Sequence, residues 1–203
     1  MREIDSFCRN RCRILWLRWL HTCRHICVQF NIMTGLDMEK DLILEVACLI
    51  SDSQLNVESE EFNVVINQPD AILENMCEWC MNQHAVSGLI EECRSSKIKL
   101  EDAQQMLLAF LMKYIPNKTC PLAGNTIYVD RILIQKLMPL VDDYIHYRII
   151  DVSSIKELAR RWNPDAYKCK PKKVLNHRAM SDIKESIQEL KYYKENIFKC
   201  SIP

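Results

Sequence analysis

The chain has 203 residues, of which 48% are hydrophobic and 27% charged, and its formal net charge is zero. That balance excludes a wholly disordered polymer, gives no overall basicity to argue for nucleic-acid binding, and allows one domain to fold without disulfide or metal staples. Charge is unevenly placed: six Arg (2, 9, 11, 13, 18, 24) against Glu3 and Asp5 give residues 1–30 a net +4, leaving −4 for the rest.

Eleven cysteines, an odd number scattered through a chain with no secretory signal pattern, suggest reduced thiols. No apolar run reaches the roughly 18 residues of a membrane span, and "ILWLRWL" is interrupted by Arg18, so no membrane association is expected. The Arg-rich, acid-poor start fits a mitochondrial transit peptide loosely, or an untargeted basic extension. Residues 1–25 are therefore read as an N-terminal extension and 26–203 as the folded domain, with a cytoplasmic or mitochondrial location expected.

In chain order, "RHICVQFNI" alternates through Ile26, Val28, Phe30 and Ile32 before Thr34-Gly35, which predicts a buried strand ending in a turn. "DLILEVACLISD" (41–52) predicts a second strand, and "EEFNVVINQPD" (60–70) a third paired with it and stopped by Pro69. Residues 71–84 show helical spacing after Asp70, a candidate N-cap, and 99–115 form the clearest amphipathic helix. "CPLAGN" (120–125) reads as a short buried strand and 130–140 as a helix. "HYRIIDV" (146–152) predicts a strand, 153–162 a helix capped by Ser153, 168–173 a basic loop, and 177–197 a closing helix. Strands alternating with helices predict a mixed α/β sheet flanked by helices.

Several polar residues stand out from this frame. On a helix, His177 and Asp182 would lie about 140° apart around the axis, flanking one edge of its start, as a general base beside a metal ligand or as a cap and a solvated acid. Asp130 follows a strand ending in Gly124-Asn125, where sites assemble in α/β folds. Arg148 suits a bidentate phosphate contact and Tyr147 suits stacking on a base. Cys77-x-x-Cys80 with His84, and Cys8-x₃-Cys12 and Cys23-x₃-Cys27 with His21 and His25, are partial zinc patterns that lack a clear set of four ligands.

Together, "MTGLDMEKD", "EWCMNQHAVSGL", "CPLAGNTIYVD", "HYRIIDVSSIKELARRW" and "HRAMSDI" resemble the oligoribonuclease family, in order and near family spacing, from about Met33 to Lys199. The resemblance implies a ribonuclease H-like fold and 3′-to-5′ hydrolysis of very short RNA to mononucleotides. It implies two divalent cations, Mg²⁺ or Mn²⁺, held by four carboxylates. Asp130 and Asp182 match two of those metal-binding carboxylates and His177 the general base. Leu36 and Trp79 match positions that sandwich bases, with His84 on the same loop. Thr126, Arg148 and Ser153 match the pocket for the 5′-phosphate of a short RNA oligonucleotide, and Tyr147 a residue lent by the other protomer of a homodimer.

One family motif is missing. The first strand should carry Asp-x-Glu immediately before "MTGL", and this chain has Phe30 and Ile32 there. Asp37 and Glu39 fall in the following loop, where the family also has acids, and do not substitute. The expected consequence is weak or absent catalysis on a retained fold. The alternative expectation is a non-catalytic form that binds short RNA or serves as a dimer partner.

Overall fold

The computed structural model describes residues 25–35, 37, 39–174 and 176–198. Residues 1–24 of the 1–25 extension, with the candidate ligands Cys8, Cys12, His21 and Cys23, and the candidate base contact Leu36 lie outside the described residues, and His25, assigned to the extension, is the first residue of a strand.

A five-stranded sheet in the order β3-β2-β1-β4-β5 organises the domain. β1 (His25–Met33) runs antiparallel to β2 (Ile43–Asp52), which pairs antiparallel with β3 (Phe62–Val65). On its other side β1 pairs in parallel with β4 (Pro121–Gly124), and β4 with β5 (His146–Asp151). Alternation along β1 and β2 divides the core into two layers. Cys27, Val46 and Ile50 join one, covered by helices α4 (Leu100–Tyr114), α5 (Ile127–Leu137) and α6 (Pro139–Tyr144). Val28, Ile32 and Leu44 join the other, covered by α2 (Glu78–Val86), α3 (Leu89–Ser95), α7 (Val152–Trp162) and α9 (Ala179–Asn196). β2 is buried on both faces, as its nearly continuous apolar run requires. The result is the mixed α/β sheet expected, of ribonuclease H-like form.

β1 and β4 approach closely at Gly124, where a Cβ would stand 2.9 Å from the Gln29 carbonyl oxygen and 2.9 Å from Ile127. This glycine lets the strand end sit beside β1 and turn directly into α5.

The elements differ from the sequence reading in several places. The helix expected over 71–84 is broken: α1 (Asp70–Leu73) stops, and α2 begins afresh after an extended Cys77. Asp70 is the first residue of α1, not its cap, which is Pro69. The helix expected over 130–140 is two helices, divided at Met138 because Pro139 supplies no N–H to continue the first. α7 is capped by Asp151, whose carboxylate accepts from the N–H groups of Ser153 and Ser154, and not by Ser153. α8 (Pro164–Lys168) completes the helices.

Candidate active site

A cleft of about 460 Å³ opens at the end of β1, lined by Asn31, Ile32, Met33, Gly35, Cys77, Trp79, Cys80, His84, His177 and Asp182. Its floor is strand β1 and its walls are α2 and the segment entering α9. Trp79 is 59% exposed on the first turn of α2, and its ring stands edge-on to His177, with centroids 5.3 Å apart and planes at 86°. A large aromatic face beside an imidazole is the kind of surface on which a nucleobase stacks.

His177 is not on the helix. It precedes α9 with a left-handed φ of +49°, and Arg178 is the extended N-cap. The angular relation expected from a continuous helix therefore does not hold. His177 and Asp182 nevertheless line the same cleft.

What holds that bend is an ion-pair network that the sequence reading missed. Glu45, fully buried on β2, accepts from the Arg178 guanidinium at 3.0 Å, from the Ala179 N–H at 3.0 Å and from the Asn63 amide at 3.0 Å. Arg178 reaches onward to Glu92 on α3 through two bonds of 2.8 Å. A carboxylate that receives both a guanidinium and a helix N-terminal N–H is compensated for its burial. The sequence signal was a lone acid inside the apolar run "LILEVACLI".

Asp130 sits in the first turn of α5, 2% exposed, and accepts the backbone N–H of Asn31 at 2.8 Å. Asp182 lines the cleft from α9, whereas Asp130 is held at Asn31 and is not among the cleft's lining residues. Burial pushes Asp130 up to about 7, opposed by the Asn31 N–H. Burial, then the neighbouring Glu185, pushes Asp182 up to about 6, opposed by Lys173. Both acids are thus driven toward their neutral forms.

Ile32, at the expected Glu position, is 5% exposed and packed in the apolar layer with Val28 and Ile183. Phe30 occupies the Asp position in the strand register, opposite Ala47. Asp37 and Glu39 offer no replacement: both are exposed, and the Asp37 carboxylate accepts the Glu39 N–H at 2.9 Å within its own loop. That loop is closed by Asp41, which accepts from Thr34 and from the Asp37 N–H, and a Cβ at Gly35 would strike its carboxylate at 2.5 Å. Among the described residues no group of three or more His, Cys, Asp or Glu could hold a metal ion. The donor set does not fit a pair of divalent cations, nor does Cys77-Cys80-His84 make a zinc site.

Residues 33–190 match the exonuclease family. The chain is 56% identical over 167 residues to the probable oligoribonuclease of Drosophila melanogaster, covering 82% of this chain and 79% of that protein. It is 49% identical over 170 residues to the mitochondrial oligoribonuclease of Homo sapiens, covering 84% and 72%. The chain belongs to the oligoribonuclease family. By family it is a hydrolytic 3′-to-5′ exoribonuclease. The exonuclease match begins at Met33, directly after Ile32. Exonuclease I of Methylocaldum szegediense has a similar fold, with a TM-score of 0.67 at 15% identity over 87% of this chain and 42% of that one. The zinc-bound complex of E. coli exonuclease I with single-stranded DNA gives 0.64 at 15% identity, over 86% and 41%. This chain therefore spans about two fifths of those exonuclease I chains.

The other residues matched to the oligoribonuclease motifs fall into distinct places. His84 is 4% exposed and lines the cleft from beneath, its Nε2 donating to the Met33 carbonyl at 3.1 Å. Burial lowers its pKa, and its bond to Met33 braces the end of β1. Thr126 and Ser153 come together across β4 and β5: the Thr126 N–H donates to the Ser153 hydroxyl at 3.0 Å, and the two hydroxyls are 3.1 Å apart. Thr126 has a left-handed φ of +55°, which no feature of its sequence announced. Tyr147 is 72% exposed on β5, with the Arg148 guanidinium 5.5 Å from its ring centroid. Among the described residues no helix is long and apolar enough to cross a membrane.

The state of Asp130 makes a prediction about stability. A carboxyl that keeps its proton to about pH 7 when folded, and loses it near pH 4 when unfolded, makes the native state the stronger proton binder between those values. Its contribution is therefore neutral below about pH 4 and increasingly unfavourable toward pH 7. Asp130→Asn, which keeps an acceptor for the Asn31 N–H, is expected to stabilise the metal-free protein by about 2–4 kcal/mol at pH 7.5. The gain should shrink toward zero at pH 4, in urea unfolding at the two pH values.

Proposed function

We propose that this member holds short 5′-phosphorylated RNA oligonucleotides in the β1 cleft and hydrolyses them weakly or not at all. The observation that carries this reading is the location of Ile32. It is packed into the apolar layer and lines the same cleft as His177 and Asp182, so the cleft is kept where a metal-binding carboxylate is not.

In this reading Trp79 stacks against one base, with Leu36 on its other face. The Thr126–Ser153 pair and Arg148 hold the 5′-phosphate, which restricts the ligand to very short chains. The exposed ring of Tyr147 supports its contribution to the cleft of a partner protomer in a homodimer. In an intact member His177 would act as general base, with Asp130 and Asp182 among the residues that would hold Mg²⁺ or Mn²⁺. Two apolar residues in place of the other two carboxylates remove donors that hard cations require. The chain retains the binding half of the family's chemistry. The mitochondrial relatives and the basic N-terminus support a mitochondrial or cytoplasmic setting.

Calorimetric titration with a 5′-phosphorylated diribonucleotide in EDTA tests this. Binding is expected without metal. Trp79→Ala should weaken it by roughly 5- to 150-fold, the equivalent of about 1–3 kcal/mol of base stacking, and Arg148→Ala should weaken binding of the phosphorylated ligand only. Absence of binding, or binding indifferent to both substitutions, would overturn the proposal.

A further inference from the structure

The first turn of α2 carries two thiols in opposite settings. Cys77 is the N-cap residue, extended and exposed, whereas Cys80 is buried at 6% exposure. The Cys77 and Cys80 thiols are in hydrogen-bonding contact with one another, which puts the two sulfurs side by side as disulfide formation requires. An N-cap side chain also leans over the third helical residue, the position Cys80 holds. The backbone N–H of Cys80 and then its thiol hold Cys77 below the ordinary thiol range, while burial and then Cys77 push Cys80 up to about 12.

An accessible thiol in hydrogen-bonding contact with a sheltered second thiol is the arrangement that thiol–disulfide exchange requires. Both cysteines line the cleft, on the turn that carries Trp79 against His177. The other close pair among the described cysteines, Cys27 and Cys48 at 3.4 Å, is fully buried and closed to a soluble oxidant.

We propose that Cys77 and Cys80 form a redox-modifiable dithiol in the cleft wall, Cys77 exchanging with a small-molecule disulfide such as glutathione disulfide and Cys80 resolving the product. In the first step the Cys77 thiolate attacks one sulfur of glutathione disulfide. A bond forms between Cys77 and that glutathione, the original S–S bond breaks, and the other glutathione leaves and takes up the proton that Cys77 gave. Cys80 then attacks the Cys77 Sγ, its proton passing to the second glutathione as that leaves. Two protein thiols are oxidised to one disulfide, and one glutathione disulfide is reduced to two glutathione thiols. Closing the bond fixes the turn bearing Trp79, so the redox state sets the shape of the cleft wall.

The test is made on the reduced full-length chain in glutathione buffers of stepped oxidised-to-reduced ratio, quenched with acid, alkylated and mapped by peptide mass. The peptide holding Cys77 and Cys80 is expected to lose two hydrogens as the ratio rises. Cys80→Ser should instead accumulate one glutathione on Cys77. Under reducing conditions iodoacetamide should label Cys77 several times faster than Cys169, the other exposed thiol among the described residues. Labelling no faster than Cys169, or a glutathione adduct that persists on Cys77 in the unmodified chain, overturns the proposal. Because the peptide map of the unmodified chain decides by itself, poor folding of a variant does not rescue the idea.

Discussion

Replacing Phe30 by Asp and Ile32 by Glu together is expected to raise Mg²⁺- or Mn²⁺-dependent hydrolysis of a diribonucleotide by roughly a thousandfold or more. The estimate follows from several kcal/mol of transition-state stabilisation at about 1.36 kcal/mol per factor of ten. The two positions are adjacent on one face of β1, since strand side chains alternate, and they lie beside Asn31, whose N–H binds Asp130. The cost of the change is also predictable. Two more carboxylates would then be added to β1 next to Asn31, while Asp130 and Asp182 are already driven toward neutrality. Without a divalent cation the double variant should therefore unfold at a lower temperature than the parent, and Mn²⁺ should raise its melting temperature but leave the parent's unchanged. Either single substitution should recover far less activity than the pair. A double variant that folds, responds to Mn²⁺ in melting and still fails to cleave would show that the strand motif is not what the chain lacks.

Glu45→Ala is expected to destabilise the protein by about 3–5 kcal/mol, because it leaves the Arg178 guanidinium and the Ala179 N–H without their buried acceptor. For a domain of this size that is a fall of roughly 6–20 °C in melting temperature. Arg178→Lys should recover only part of the loss seen in Arg178→Ala, since an ammonium does not reproduce the planar fork facing Glu45 and Glu92. Glu92→Ala, at the half-exposed end of the network, should cost about 1 kcal/mol or less. The buried half of the network also fixes where His177 stands, because the bend at φ +49° lies immediately before Arg178. An imidazole resonance that shifts in Arg178→Ala but not in Glu92→Ala would locate that control in the Glu45 contact. A loss below about 1 kcal/mol for Glu45→Ala would contradict the role given to it.

Where side-chain periodicity is strong, the sequence and the structure agree. The alternation of Val28 and Ile32, the apolar run of β2 and the amphipathic α4 are all where the pattern put them. Some of the residues matched to family motifs come together in the fold, and Asp130, Tyr147 and Arg148 are not among those lining the cleft. Trp79, His84, His177 and Asp182 share one cleft, and Thr126 meets Ser153. What escaped was conformation set by tertiary contacts. The left-handed turns at Thr126 and His177 carry no glycine to announce them, and the restart of helix at Glu78 follows from an extended Cys77 in a segment whose apolar spacing looked continuous. Asp151 won the cap of α7 because its carboxylate meets two N–H groups, where the Ser153 hydroxyl, two residues further on, meets neither. Glu45 was visible as an anomaly, a charge in a buried strand, but its partner lies 133 residues away in sequence.

Steady-state hydrolysis of a 5′-phosphorylated diribonucleotide by the unmodified chain, with Mg²⁺ and with Mn²⁺, decides whether Phe30 and Ile32 have cost the protein its catalysis. Binding that saturates with no release of mononucleotide above background, or release at least about a thousandfold below the Phe30→Asp/Ile32→Glu variant, is the predicted result. Turnover by the unmodified chain at about 1 s⁻¹ or faster, an ordinary enzymatic rate, would contradict it and show that catalysis survives with Phe30 and Ile32 in place.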